Sequence, residues 1–131
     1  MSKYVIGPDV AIQLARDEAH IRDEHQILAP SLMRSQVLSR LYHAVQHSEM
    51  TRKDAERRLI YIRGLRIRLL GDRVLQNASW KVAEALGFSD TLDAEYVALT
   101  QLHADAFITL DSELANAAKH LVTVAPVESL L

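Results

Sequence analysis

Tyr4-Val5-Ile6-Gly7-Pro8-Asp9-Val10-Ala11 changes its hydrophobic rhythm within a few residues, and that change decides the fold class. Tyr4 to Ile6 is a short β-type run, and Gly7-Pro8 stops it. Proline suits a first helical position, so the amphipathic stretch that follows is expected to be helical, with Val10, Leu14 and Ile21 inward. The same order recurs downstream. Gln26-Ile27-Leu28-Ala29 is a second strand, and Pro30-Ser31 starts a helix, with Ser31 as N-cap, that carries Leu32, Val37, Leu38, Leu41 and Val45 at helical spacing. Thr51-Arg52-Lys53-Asp54 caps a third helix that ends at Gly64.

From Leu65 to Leu70 the apolar residues Leu65, Ile67 and Leu69 alternate with Arg66 and Arg68, a period of two that predicts a strand, here at a sheet edge. Val74 to Leu86 reads as helix with Gly87 as its stop, and Ser89-Asp90-Thr91 opens another that runs through Leu102. Ala106 to Thr109 is expected as strand, Asp111 to His120 as helix and Leu121 to Val124 as a last strand. Strands separated by helices of this length need crossover connections, which predicts a mainly parallel sheet covered by helices on both faces. The expectation is a single α/β/α domain over residues 1–131, with neither repeat nor linker.

Composition narrows the chemistry. The chain is 49% hydrophobic and 24% charged with few glycines and prolines, the profile of a globular protein. It has no cysteine, which removes disulfides, thiolate zinc sites and thiol nucleophiles. The opening residues lack a signal peptide's apolar core and no apolar run approaches the roughly 20 residues that span a bilayer, so the chain is read as cytoplasmic with no membrane partner. A formal charge of −2 means that any surface for a polyanion must come from local segregation of charge.

In a parallel sheet, ligands bind beyond the carboxyl ends of the strands. Asp9 follows the first strand, Asp111 follows a late one and Asp93 opens a helix, so three carboxylates distant in sequence are expected at one edge. Carboxylates held together need a cation to offset their repulsion, and Mg²⁺ or Mn²⁺ takes oxygen ligands, often one or two carboxylates with waters. Each aspartate alone has a simpler explanation, because Asp is favoured at helix N-caps and in first turns.

Three segments, Tyr4 to Ala11, Asp93-Ala94-Glu95-Tyr96-Val97-Ala98-Leu99 and Ile108-Thr109-Leu110-Asp111-Ser112-Glu113-Leu114, together resemble the PIN domain, specifically the VapC-like toxins of type II toxin–antitoxin systems. Ala29 to Leu38 resembles the second motif of that family in position and apolar pattern. The resemblance runs along almost the whole chain. It implies a PIN-like fold, Mg²⁺- or Mn²⁺-dependent endoribonuclease activity, RNA as substrate, a cognate antitoxin as partner and a homodimer. Of the four usual acidic positions, Asp93 and Asp111 are kept. Gly7 stands where the family has an aspartate and Gln36 where it has a glutamate, while Asp9 falls where Ser or Thr is usual. Asp9 is expected to replace part of the missing carboxylate, giving Asp9, Asp93 and Asp111 as metal ligands. Gln36 is expected at the site as a neutral group whose carbonyl oxygen can bind a cation or a metal-bound water, though it is a poor base. The same two departures support a second reading, a PIN domain without catalysis that binds RNA or protein.

Between Arg52 and Arg68 seven basic residues stand against Asp54 and Glu56. Arg52, Lys53, Arg57 and Arg58 are candidate phosphate contacts, with a solvated helix face as the simpler account. Tyr96, three residues after Asp93, is expected to pack beneath the site or hydrogen-bond near it, and Thr109 to orient a carboxylate or a water. Trp80 is expected to pack inside its helix face.

Overall fold

The computed structural model describes residues 2–131. Its strands are β1 (Lys3–Ile6), β2 (Gln26–Pro30), β3 (Ile67–Leu70) and β4 (Ala106–Ile108), and its helices are α1 (Pro8–Asp17), α2 (Met33–Gln46), α3 (Arg52–Gly64), α4 (Arg73–Leu86), α5 (Leu92–His103) and α6 (Ser112–Ala118). All four strands are parallel in the order β3-β2-β1-β4. Right-handed crossovers from β1 to β2 to β3 run one way across the sheet and the return to β4 runs the other, which sends the connecting helices to opposite faces. The result is an α/β/α layering in which α1, α2 and α3 pack on one another, α5 lies across β1, β2 and β4, and α4 packs on α5.

Burial follows from that layering. Val5, Ile6, Phe107 and Ile108 are fully enclosed, as expected of strands covered on both faces, and Val10, Leu14, Leu41, Val97 and Leu99 complete the core from the helices. β3 is an outer strand, and its Arg68 points outward while Ile67 and Leu69 pack inward. Among the described residues no helix is long and apolar enough to cross a membrane.

Three local expectations are corrected. Leu121 to Val124 forms no strand; only Val124 bridges to Phe107, because β4 is three residues long and the chain turns away at Pro126 into a short 3-10 turn, Val127–Leu130. Ser31 does not cap α2, whose N-cap is Leu32 with no side-chain bond; the Ser31 amide instead extends the sheet by donating to the Leu70 carbonyl (2.9 Å). Trp80 is 66% exposed, since the inner face of α4 is taken by Leu75, Ser79, Val82 and Ala83, and position 80 falls outside it.

Two helix ends behave differently on substitution. Gly87 sits at φ 70°, and a Schellman cap closes there, with the Phe88 amide donating to Ala83 O (2.9 Å). Gly64, the last residue of α3, has no positive φ and open space around it. Gly87→Ala is expected to destabilise by about 1 kcal/mol, lowering Tm by roughly 4 °C, whereas Gly64→Ala should raise stability by about 0.5 kcal/mol. Thermal melts of the two variants check the contrast.

Candidate functional site

β1 is the point at which the crossovers reverse: its neighbour on one side is reached through α1 and on the other from α5. Parallel sheets open a crevice at the carboxyl ends of such strands. A cavity of roughly 70 Å³ lies there, lined by Gly7, Pro8, Asp9, Arg40, Asp93, Tyr96, Phe107, Thr109, Asp111 and Leu114. It brings together the three aspartates predicted from sequence, with Tyr96 and Thr109. Its size admits an ion and a few waters, far below the roughly 300 Å³ at which small-molecule pockets begin. A polymeric substrate would therefore meet it from outside, presenting one group at a time.

The aspartates differ in what already holds them. Asp111 is the N-cap of α6, and its Oδ1 accepts from the Leu114 amide (3.0 Å). Asp9 Oδ1 accepts from the Val10 amide (2.9 Å), and its Oδ2 from the Leu110 amide (2.9 Å) and the Thr109 hydroxyl (3.3 Å). The Thr109 hydroxyl oxygen accepts in turn from the Asp111 amide (3.1 Å). Capping thus accounts for much of Asp111 and Asp9. It does not account for Asp93. Asp90 Oδ1 takes the Leu92 amide at the start of α5 (3.0 Å), and among the described residues no hydrogen bond or ion pair steadies the Asp93 carboxylate.

Burial pushes the Asp93 carboxyl above the usual carboxylate range, and the nearby charges of Asp111, Asp90 and Asp9 push the same way against the opposing pull of Arg40. Arg40 is the residue that sequence reasoning missed. It lies one helical turn beyond Gln36 on α2, and that i, i+4 spacing was the available signal. Gln36 itself does not line the cavity. Its carbonyl oxygen accepts from the hydroxyl of Tyr96 (2.6 Å), a side chain that is otherwise enclosed against Phe107 and whose phenol is held far above its ordinary pKa by burial. Tyr96 therefore does both things expected of it, and Thr109 orients a carboxylate as expected.

Arg52, Lys53, Arg57 and Arg58 lie on α3, and none lines the acidic cavity; Arg52 pairs with Glu56 (3.1 Å) on the solvent side. Among the described residues, no three His, Asp or Glu side chains form a ready-made metal cage. A hard cation does not need such a cage, since one or two carboxylates completed by water can hold it.

No protein-family model matches this chain, and no curated protein matches it in sequence. The fold is similar to the crystal structure of PAE2754 from Pyrobaculum aerophilum, with a TM-score of 0.74 and 21% identity over 98% of this chain and 93% of that one. That likeness supports the fold.

Because the folded state raises the Asp93 pKa, ionising Asp93 costs stability. The cost is absent below the ordinary carboxylate range, where Asp93 is protonated both folded and unfolded. It grows as pH rises through that range and is complete above the raised value. Asp93→Asn is expected to melt higher than the parent protein at pH 7, with the difference shrinking towards zero near pH 3. The N-terminus of α5 favours a carboxylate and trims the gain.

Proposed function

We propose that this chain is a PIN-type, VapC-like endoribonuclease of the cytoplasm, dependent on Mg²⁺ or Mn²⁺, with Asp93 and Asp111 as the working carboxylates. The observation that carries this reading is Asp93. A carboxylate lining the pocket with no hydrogen-bond donor among the described residues, facing other carboxylates, has electrostatic reason to hold a cation. A divalent ion bound there would supply activation of the attacking water and stabilisation of charge on the phosphate oxygens.

The chain's own groups have separate tasks on this reading. Asp93 and Asp111 would hold the ion. Arg40 gives the mouth of the pocket one positive charge, placed to meet a phosphodiester that three carboxylates would otherwise repel. Asp9 and Thr109 hold the loop that carries Asp111. Gln36 fixes the Tyr96 hydroxyl rather than acting as a base. RNA is the substrate, with an antitoxin and a second copy of the chain as the protein partners implied by the resemblance.

A second reading has its own support. Gly7 and Gln36 leave two acidic positions neutral, and the Gln36 carbonyl is already engaged by Tyr96. That arrangement favours a domain that binds RNA or protein without cutting.

Cleavage of a mixed structured RNA separates the two. Purified protein with Mg²⁺ or Mn²⁺ is expected to cut, EDTA to stop it, and Asp93→Asn to lose at least a hundredfold in rate, in line with the loss of several kcal/mol of charge stabilisation. Folded, partner-free protein that cuts in neither metal would establish the binding module instead. Arg40→Gln is expected to slow cleavage by roughly tenfold to a hundredfold, the scale of one charge-assisted hydrogen bond, while leaving Mn²⁺ affinity equal or higher because a competing cation has gone. Isothermal titration with Mn²⁺ beside the cleavage assay reads both.

A further inference from the structure

A cavity is only as useful as the loops that shape it, and here one of its three carboxylates is occupied in shaping it. We propose that Asp9 is a positioning residue that fixes the Thr109–Asp111 loop, and that Gly7 is glycine because the Asp9 carboxylate fills the space a side chain at position 7 would take. The inference deepens the cation-site reading and rests on it for its functional consequence.

The geometry at Gly7 carries the argument. A Cβ built there would stand 2.5 Å from Asp9 Oδ1 and 3.6 Å from its Cγ, while the next neighbour, the Ile108 carbonyl, is 3.9 Å away. Only the carboxylate is in the way. The backbone imposes nothing further, because Gly7 has φ −78°, which any residue adopts. What position 7 accommodates is thus set by the Asp9 side chain and not by a turn.

From that place the carboxylate reaches across the seam between the first and last strands. Oδ1 is anchored on the Val10 amide, so Oδ2 is aimed at the Leu110 amide and the Thr109 hydroxyl. Thr109 passes the constraint on through its bond with the Asp111 amide. The chain of contacts runs from Asp9 to Thr109 to Asp111, and its end is a carboxylate of the pocket. Bonds from amides to an ionised acceptor are stronger than neutral ones and shorter-ranged than charge effects, so they set position where the net charge of Asp9 sets only potential. Each Asp9 oxygen already accepts from an amide, which leaves it less free than Asp93 to turn toward an ion.

The test is a double-mutant cycle with two readouts: amide exchange of Leu110 and Mn²⁺ affinity. Gly7→Ala and Asp9→Ala are each expected to speed Leu110 exchange about tenfold or more and to weaken Mn²⁺ binding. The double variant should be no worse than Asp9→Ala, because both changes break one contact. Asp9→Asn offers one acceptor oxygen for the two amides that Asp9 serves, so with that oxygen on the Leu110 amide its NH₂ faces the Val10 amide, and it should recover part of both properties. A structural residue without influence on the pocket would not move Mn²⁺ affinity and would leave nothing to rescue.

Additive effects in the double variant, or wild-type exchange of Leu110 in Asp9→Ala, overturn the proposal. If Asp9→Asn keeps Leu110 protected yet binds Mn²⁺ as poorly as Asp9→Ala, then Asp9 is a cation ligand and the positioning assignment is wrong. If Gly7→Ala does not fold, the double variant decides: folding supports the carboxylate as the obstacle and failure to fold refutes it. Parent protein that binds no Mn²⁺ at all would sink the cation-site reading, and the Leu110 exchange cycle would still decide whether Asp9 and Gly7 are coupled.

Discussion

The pairing of β1 with β4 is the constraint on which the rest of the site depends. Tyr4, Val5 and Ile6 align with Ala106, Phe107 and Ile108, and the Gly7 amide continues the ladder by donating to the Ile108 carbonyl (3.1 Å). Joining segments this far apart carries a loop-closure cost that rises only slowly with length. Complete burial of Val5, Ile6, Phe107 and Ile108 offsets it. Once the two strands are side by side, the residues immediately after them must be neighbours, and the bond from the Leu110 amide to Asp9 carries the seam beyond the last strand pair. The site is the place where that seam ends.

Charge then does what topology permits. Nearness of like charges is tolerable in water and costly where solvent is excluded, because the effective dielectric falls. Asp111 and Asp9 each accept amide donors. Among the described residues Asp93 has no such donor, and Arg40 opposes the rise in its pKa only in part. The same topology keeps the basic residues of α3 and β3 away: β3 is at the far edge of the sheet, two strands from β1, so their charge is segregated from the pocket.

How much of this was legible in the sequence depended on how local the determining interaction is. The strand and helix order was legible because period-two and period-3.6 patterns alternate along the chain, and caps such as Thr51 with the Asp54 amide (3.1 Å) are encoded within one turn. The convergence of Asp9, Asp93 and Asp111 followed from the parallel topology alone. The i, i+4 spacing of Arg40 from Gln36 was legible, but that this face of α2 reaches the pocket comes from tertiary packing. The outward turn of Trp80 was hidden for a related reason: an apolar helix shows which residues can be buried, and tertiary packing selects which of them are. Leu121 to Val124 has strand composition, yet a short β4 offered it one bridge.

The three aspartates look equivalent in sequence, and the structure ranks them by what folding asks of each. Asp111 caps α6, so a carboxylate there serves the helix whether or not it serves chemistry. Asp9 ties two loops together. At position 93 the N-terminus of α5 favours a negative charge, while desolvation and the neighbouring carboxylates oppose it. On the proposed reading, the interaction that offsets the cost of a carboxylate facing carboxylates is with a cation. On that reading structural support and proposed function are inversely distributed across the site: Asp93, the aspartate with the fewest hydrogen bonds among the described residues, is the one most open to a ligand.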